Sequence, residues 1–351
     1  MKKKLALCVP LSDEDRATVE KYCDITECGF LTTGKWFMDE DVTYEQMKGN
    51  EIIVTMSETT GAETLKKLKD QGLKFVIAAR GTPTMTDWKA CHDLEIPLGY
   101  TPGRNKIAVA EFCVMFMLML SKKVKVIMSR IQKGMYLGEA KENVYDYIEK
   151  KDVNWPHNEG SPFGDIGYNH ELYGKTVGLV GFGAIGREVA KICKAFHMDV
   201  CAYDAYLTDE QIAAEGVKPV SIDELLTTSD IVSVHLPVTN ETRFMINEDW
   251  FAKMKPTALF INTARAAVIK QEAVVHALES GQIAGAAMDV FWEEPIPENH
   301  PLLSMDNVIV TPHMAAMTEE IDNYWTSRMV TDHIVEYCEG KELTKLWTRL
   351  E

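Results

Sequence analysis

Twice along this chain, short apolar runs alternate with polar stretches of helical periodicity, and that alternation limits the fold more than any other feature. In the first hundred residues "LALCV", "EIIVTM", "KFVIAA" and "IPLGYT" read as strands. Between them "DEDRATVEKY", "GAETLKKLKDQG" and "MTDWKACHDLE" read as helices or turns. From Lys175 the pattern restarts, with "KTVGLVG", "DVCAYD", "DIVSVHLP", "ALFINTA", "IAGAAMDVF" and "NVIVTPH" as strands. Four of these later runs are almost unbroken apolar segments, as expected of parallel strands covered on both faces. A chain of 351 residues is longer than one typical domain, so the reading is α/β with two domains. "YTPGRN", Tyr100 to Asn105, is the linker, and a long helix is expected from about Ile107.

Several classes of function are disfavoured. A net charge of −16 argues against nucleic acid or an anionic membrane surface as a partner, because both are polyanions. "MKKKLALCVPLSDED" has too short an apolar run for a secretory signal, and "VAEFCVMFMLMLSKKVKV" contains Glu111 and too few unbroken apolar residues to span a bilayer. Its methionines read as core filling. Eight cysteines without a CxxC pair point to a reducing cytoplasm, and no His/Cys cluster has metal-ligand spacing. Gly138 to His170 is polar and aromatic. It is either a solvent loop or, given Trp155, Phe163 and Tyr168, an excursion that packs on a partner subunit.

"GLVGFGAIGREVA" carries the sharpest local signal. Gly181, Gly183 and Gly186 stand at GxGxxG spacing between a buried-type strand and a helix. Gly181 permits a tight turn, Gly183 lets backbone approach a pyrophosphate, and Gly186 lets helix and strand pack closely. The helix N-terminus offers free N–H groups and a positive dipole end to phosphates. Asp204 ends the next strand, where a carboxylate accepts hydrogen bonds from ribose hydroxyls and repels a 2′-phosphate; "AYL" after it supplies no cation. NAD is therefore expected over NADP.

Three later strands each end in a chemically useful residue. "FINTARAAV" delivers Arg265, "MDVFWEEP" delivers Asp289 and two glutamates, and "VTPHMAA" delivers His313. In an open parallel sheet the carboxyl ends of the strands form the ligand crevice, so these groups are expected to converge there.

With these motifs in order, the chain resembles the D-isomer-specific 2-hydroxyacid dehydrogenase family, in its phosphoglycerate dehydrogenase-like branch. The resemblance runs from "KFVIAARGTP" through "YTPGRNKIAVAEF", "LYGKTVGLVGFGAIGREVA", "SVHLPVTNETRFMIN", "FINTARAAVI" and "AGAAMDVFWEEP" to "VTPHMAA". It implies a Rossmann NAD-binding domain, 105–318, inserted into a flavodoxin-like substrate domain, 1–104, that 319–351 completes. It also implies a homodimer through the nucleotide domain, with a dimerisation excursion at 138–170. The catalytic residues implied are Arg265, Glu294 and His313. Glu293 is rejected because it lacks the following proline. Cofactor contacts are implied at Gly181, Gly183, Ala184, Ile185, Gly186, Asp204, Leu236, Pro237, Thr242, Thr263, Ala264 and Asp289, with Asp289 orienting the nicotinamide carboxamide. Gly81 and Thr82 would offer backbone N–H groups to the substrate carboxylate that Arg265 also holds.

The implied reaction interconverts a 2-oxo acid and a D-2-hydroxy acid, with NADH as hydride donor in reduction. His313 would exchange the proton, supported by Glu294, and Arg265 would grip the carboxylate with its planar fork. The rival is an NAD-sensing, corepressor-like binding protein on the same scaffold, which could dispense with the catalytic three. The chain departs from its relatives at Ala315 and Ala316, where glycines are frequent, and at "ARGTPTMTD", which lacks their Gly-x-Asx run. By resemblance, that loop fits a branch that takes sugar-derived or polyhydroxy acids.

Overall fold

Five short apolar segments form one sheet: β1 (Lys3–Leu7), β2 (Cys23–Glu27), β3 (Ile52–Thr55), β4 (Phe75–Ala78) and β5 (Leu98–Tyr100). All pair in parallel, in the order β2-β1-β3-β4-β5, which is the flavodoxin-like winding. Successive side chains of a strand point to opposite faces. Ala6, Ile53, Val76 and Leu98 therefore pack against Met47, Leu65 and Leu68 on one side. Leu5, Leu7, Ile52, Val54, Phe75 and Ile77 pack with Val19, Val330 and Ile334 on the other. The computed structural model describes residues 1–35, 37–137 and 160–348. It divides into two compact units, Met1–Ala108 with Ala316–Glu351, and Val109–Ala315.

The C-terminal segment belongs to the first unit because its helix, Ser327–Cys338, supplies part of that core. After the helix, Leu346 bridges Gly99 in antiparallel fashion and Trp347 N–H donates to Leu98 O at 2.8 Å. His333 is 1% exposed, packs edge-on to Phe75, and shares a hydrogen bond with Tyr100 O at 2.9 Å. A side chain at Gly99 would come within 3.1 Å of that ring, so only glycine fits there comfortably.

The second unit repeats the winding with more strands: β6 (Thr176–Val180), β7 (Asp199–Tyr203), β8 (Lys218–Pro219), β9 (Ile231–Val234), β10 (Leu259–Asn262), β11 (Gly285–Met288) and β12 (Val308–Val310). The order is β12-β11-β10-β9-β6-β7-β8, again wholly parallel. The chain winds outward from β6 through β7 to β8, then returns to β9 beside β6. That reversal makes β6 and β9 the topological switch point. β9 and β11 are buried at every residue, and Phe251, Phe260, Val274 and Leu302 fill one face of the core.

The long helix runs Lys106–Ser121, and Lys123, at φ +50°, turns the chain before the helix Val124–Gln132. Met117 is fully buried against Cys193, as core filling requires, whereas Met128 lies exposed on the second helix. No helix among the described residues is long and apolar enough to cross a membrane. All eight cysteines are free. Of the aromatic excursion, 138–159, including Trp155, lies outside the described residues. Its remainder holds a short helix, Pro162–Asp165, with Phe163 and Tyr168 in ring contact at 6.3 Å.

Burial lowers the His333 pKa below the ordinary value of about 6.5, so the ring is neutral in the fold. The unfolded chain takes up that proton first as pH falls. The stability His333 contributes is therefore complete above about pH 6.5 and lost below it, by at most about 1.4 kcal/mol per pH unit. His333→Gln should flatten the fall in urea midpoint between pH 7 and 5. An unchanged slope would assign the acid loss to other groups.

Candidate active site

The glycine turn follows β6 at the switch point. Gly181 adopts φ +94°, and a Cβ there would sit 2.8 Å from His235 O, on the segment leaving β9. A Cβ on Gly186 would lie 2.6 Å from Gly181 O, closing the helix onto the strand. Gly183 differs: a Cβ there would meet no protein atom within 4 Å. Two glycines are thus required by the protein's own backbone, and the third leaves open space at the N-cap of the helix Ala184–Ala195. Ala184 and Ile185 open that helix, where backbone N–H groups lack intrahelical partners. This open cradle at a helix N-terminus fits a pyrophosphate.

Asp204 follows β7 beside the turn. Its Oδ2 accepts from Phe182 N–H at 2.8 Å, and its Oδ1 accepts from Tyr206 and Leu207 N–H at 2.9 and 3.3 Å. The carboxylate therefore braces the glycine turn as well as presenting acceptors beside it. Arg187, which the motif reading did not single out, donates to Phe182 O at 2.8 Å, lies over the Phe182 ring and pairs with Glu215.

After β9, Leu236 comes within 3.3 Å of where a Gly181 Cβ would be. Thr242 donates to Pro237 O at 2.6 Å and accepts from Thr239 N–H, which folds this loop. His235 was also unanticipated. Its ring shares a hydrogen bond with Ser233 at 3.0 Å, and burial pushes its pKa down to about 4, leaving it neutral.

The three catalytic candidates stand at the carboxyl ends of β10, β11 and β12. Arg265 is extended and exposed, and its guanidinium donates to Ala264 O at 2.6 Å. Thr263 is buried, with its hydroxyl 3.0 Å from Cys113 Sγ, so its side chain turns into the core and away from solvent. Glu294 accepts from Phe291 N–H through Oε1 at 3.0 Å and meets His313 Nδ1 through Oε2 at 2.8 Å. His313 holds a left-handed backbone, φ +57°, uncommon outside glycine and asparagine.

Asp289 holds that backbone. It is 1% exposed and accepts from Thr311 Oγ1 at 2.5 Å, Met314 N–H at 2.8 Å and Ala315 N–H at 2.9 Å. The expectation from sequence gave Asp289 a nicotinamide carboxamide; here its carboxylate is occupied by the segment on either side of His313. Ala315 is buried and donates its N–H to Asp289, and neither it nor Ala316 has positive φ, so glycine is not required at either position.

In the first unit, Gly81 and Thr82 follow β4. A Cβ on Gly81 would meet its nearest neighbour, Thr101 O, only at 4.0 Å. The rest of this loop is tied to Thr60 through Met85 O, Asp87 N–H and the Thr86 hydroxyl.

Residues 149–315 match the family described as D-isomer specific 2-hydroxyacid dehydrogenase, NAD binding domain. The chain is 35% identical over 253 residues to YoaD of Bacillus subtilis, named as a 2-hydroxyacid dehydrogenase, covering 72% of this chain and 67% of that one. It is 34% identical over 301 residues to D-3-phosphoglycerate dehydrogenase of Archaeoglobus fulgidus, covering 86% of this chain and 52% of the relative; it thus spans about half that protein's length. Among solved structures, D-lactate dehydrogenase with NAD⁺ from Lactobacillus jensenii superimposes with a TM-score of 0.76 at 25% identity, covering 99% of this chain and all of that one. The chain belongs to the D-isomer-specific 2-hydroxyacid dehydrogenase family, and its second unit is a nicotinamide-dinucleotide-binding domain.

Asp204→Ala removes both the acceptors beside the turn and the brace on Phe182. NADH binding is expected to weaken by roughly ten-fold or more, the scale of a lost charge-assisted hydrogen bond. The preference over NADPH should narrow. Fluorescence titration with both cofactors checks this, and wild-type protein that already favours NADPH would overturn the role of Asp204.

Proposed function

We propose that this chain is an NAD-dependent dehydrogenase interconverting a 2-oxo acid and a D-2-hydroxy acid. The observation that carries the reading is the Glu294–His313 pair, 2.8 Å apart, past the ends of β11 and β12, next in the sheet to β10, which Arg265 follows, in a dinucleotide-binding domain. A module that only senses NAD needs the glycine turn but has no use for a carboxylate-oriented histidine.

When bound, the nicotinamide ring gives or takes up the hydride. The protein's own groups do the rest. The N–H groups at Ala184 and Ile185 receive the pyrophosphate, Asp204 receives the ribose hydroxyls, and Leu236, Pro237, Thr242, Thr263 and Ala264 flank the cofactor. Because Nδ1 of His313 faces Glu294, Nε2 is the nitrogen that exchanges the proton with substrate oxygen. As imidazolium it donates in reduction; as neutral imidazole it accepts in oxidation. Glu294 fixes the ring and balances its positive charge. The Arg265 fork binds the substrate carboxylate through parallel hydrogen bonds and polarises the neighbouring carbonyl. Gly81 and Thr82 are the proposed substrate donors of the first unit.

Homodimerisation and a reducing cytoplasm belong to the same reading. Met128, Ile131, Met135 and Leu137 are exposed on and just after the helix Val124–Gln132, an apolar face suited to a second copy. The free, mostly buried thiols fit a reducing compartment.

Loss of NADH absorbance over a panel of 2-oxo acids tests the activity; no loss with any of them would favour the binding module. His313→Ala is expected to lower turnover by ~10²- to 10⁴-fold with NADH still bound. Arg265→Lys should raise KM for 2-oxo acids strongly, lower kcat as well, and leave NADH affinity nearly unchanged, because a point charge cannot replace the fork. Equal reduction of ketones that lack a carboxylate would contradict the role of Arg265.

A further inference from the structure

We infer that Asn262 is the positioning residue for Arg265: its carboxamide clasps the turn between β10 and the arginine and so sets where the guanidinium fork stands. This rests on the reading that Arg265 binds the substrate carboxylate.

Asn262 is the last residue of β10 and is fully buried. Both ends of its amide are engaged on the turn that follows. Oδ1 accepts from Ala264 N–H at 2.9 Å, and Nδ2 donates to Arg265 O at 3.0 Å. The orientation of the amide is fixed by its partners, since a backbone N–H needs the oxygen and a carbonyl needs the nitrogen. Its own backbone oxygen accepts from Asp289 N–H at 3.0 Å, which ties the turn to the strand end that braces His313. Thr263 is anchored by its hydroxyl on Cys113 and Ala264 packs on the core, but the clasp is what reaches the Arg265 backbone. Arg265 is exposed, and among the described residues its guanidinium hydrogen-bonds only the adjacent Ala264 O. An exposed arginine has many rotamers, so a substrate-ready fork needs its backbone held.

No shorter or purely apolar side chain can do this. A donor and an acceptor must lie about one amide width apart to span residues two and three positions ahead. Aspartate has the shape but not the donor. It would set an oxygen against Arg265 O and bury a charge.

The test uses the full-length protein with NADH and glyoxylate, the 2-oxo acid without a side chain, so that side-chain preference does not enter. Asn262→Asp is made with Asn262→Ser, which keeps the site neutral if the buried charge prevents folding. Each is combined with Arg265→Lys. The expected result is a KM for glyoxylate raised about ten-fold or more by either Asn262 variant, with NADH affinity by fluorescence within about two-fold of wild type. Each double variant should be hardly worse in KM than Arg265→Lys alone, because both changes disable one interaction. Unchanged KM in the Asn262 variants, or effects that multiply in the double variants, would overturn the inference while leaving the reading of Arg265 intact. Loss of NADH binding in step with KM would also overturn it, by showing general damage to the domain. If Arg265→Lys itself leaves KM unchanged, the underlying reading fails and takes this one with it.

Discussion

The carboxylate of Asp289 is the contact on which the rest of the site depends. A buried carboxylate is costly unless donors surround it, and here the donors are the hydroxyl of Thr311 and the N–H groups of Met314 and Ala315. Residue 313 lies between them. Its left-handed backbone carries a local strain that persists only because its neighbours are fixed on both sides. Held so, the ring of His313 presents Nδ1 to Glu294. Asp289 N–H meets Asn262 O, and the Asn262 side chain holds the turn of Arg265. A proton-transfer pair and a cationic fork thus share one rigid foundation, the ends of adjacent parallel strands.

The parallel winding explains why that foundation exists. Each strand of the second unit runs the same way, so every strand end opens on the same edge of the sheet. At the switch point the chain turns away on opposite sides of β6 and β9, and the glycine turn occupies the gap. Gly181 and Gly186 are demanded by backbone approaching to 2.8 and 2.6 Å, whereas Gly183 keeps a cradle open. Cofactor fit and fold packing therefore act on different glycines of one motif.

Much of this was legible in the sequence because buried parallel strands are written as apolar runs. All six runs expected after Lys175 are strands, and four of the five in the first sheet were expected too. The strand that escaped, β2, is an edge strand, "CDITE", of which only Cys23 is buried; its polar residues hide it from hydrophobic patterning. β8 escaped because Lys218–Pro219 is too short to carry a pattern. At the site, residue type and place at a strand end pointed to Arg265, His313 and two glutamates, and the family resemblance singled out Glu294. Sequence could not show that Asp289 faces the His313 loop, that Asn262 clasps Arg265, or that His235 stands half-buried beside the glycine turn. Those facts depend on side-chain partners brought together across strands, and no linear spacing encodes them. Ala315 illustrates the converse. It looked like a departure, yet its N–H serves Asp289 and its methyl is buried without need of positive φ.

The central claim is that this site moves a hydride to the carbonyl carbon of a 2-oxo acid on one face only. It is tested most directly with NADH deuterated at the transferable position of the nicotinamide and pyruvate, whose reduction creates a stereocentre. The account predicts lactate that carries one deuterium at C2 and is wholly the D enantiomer. Lactate without the label, or the L enantiomer, would contradict it.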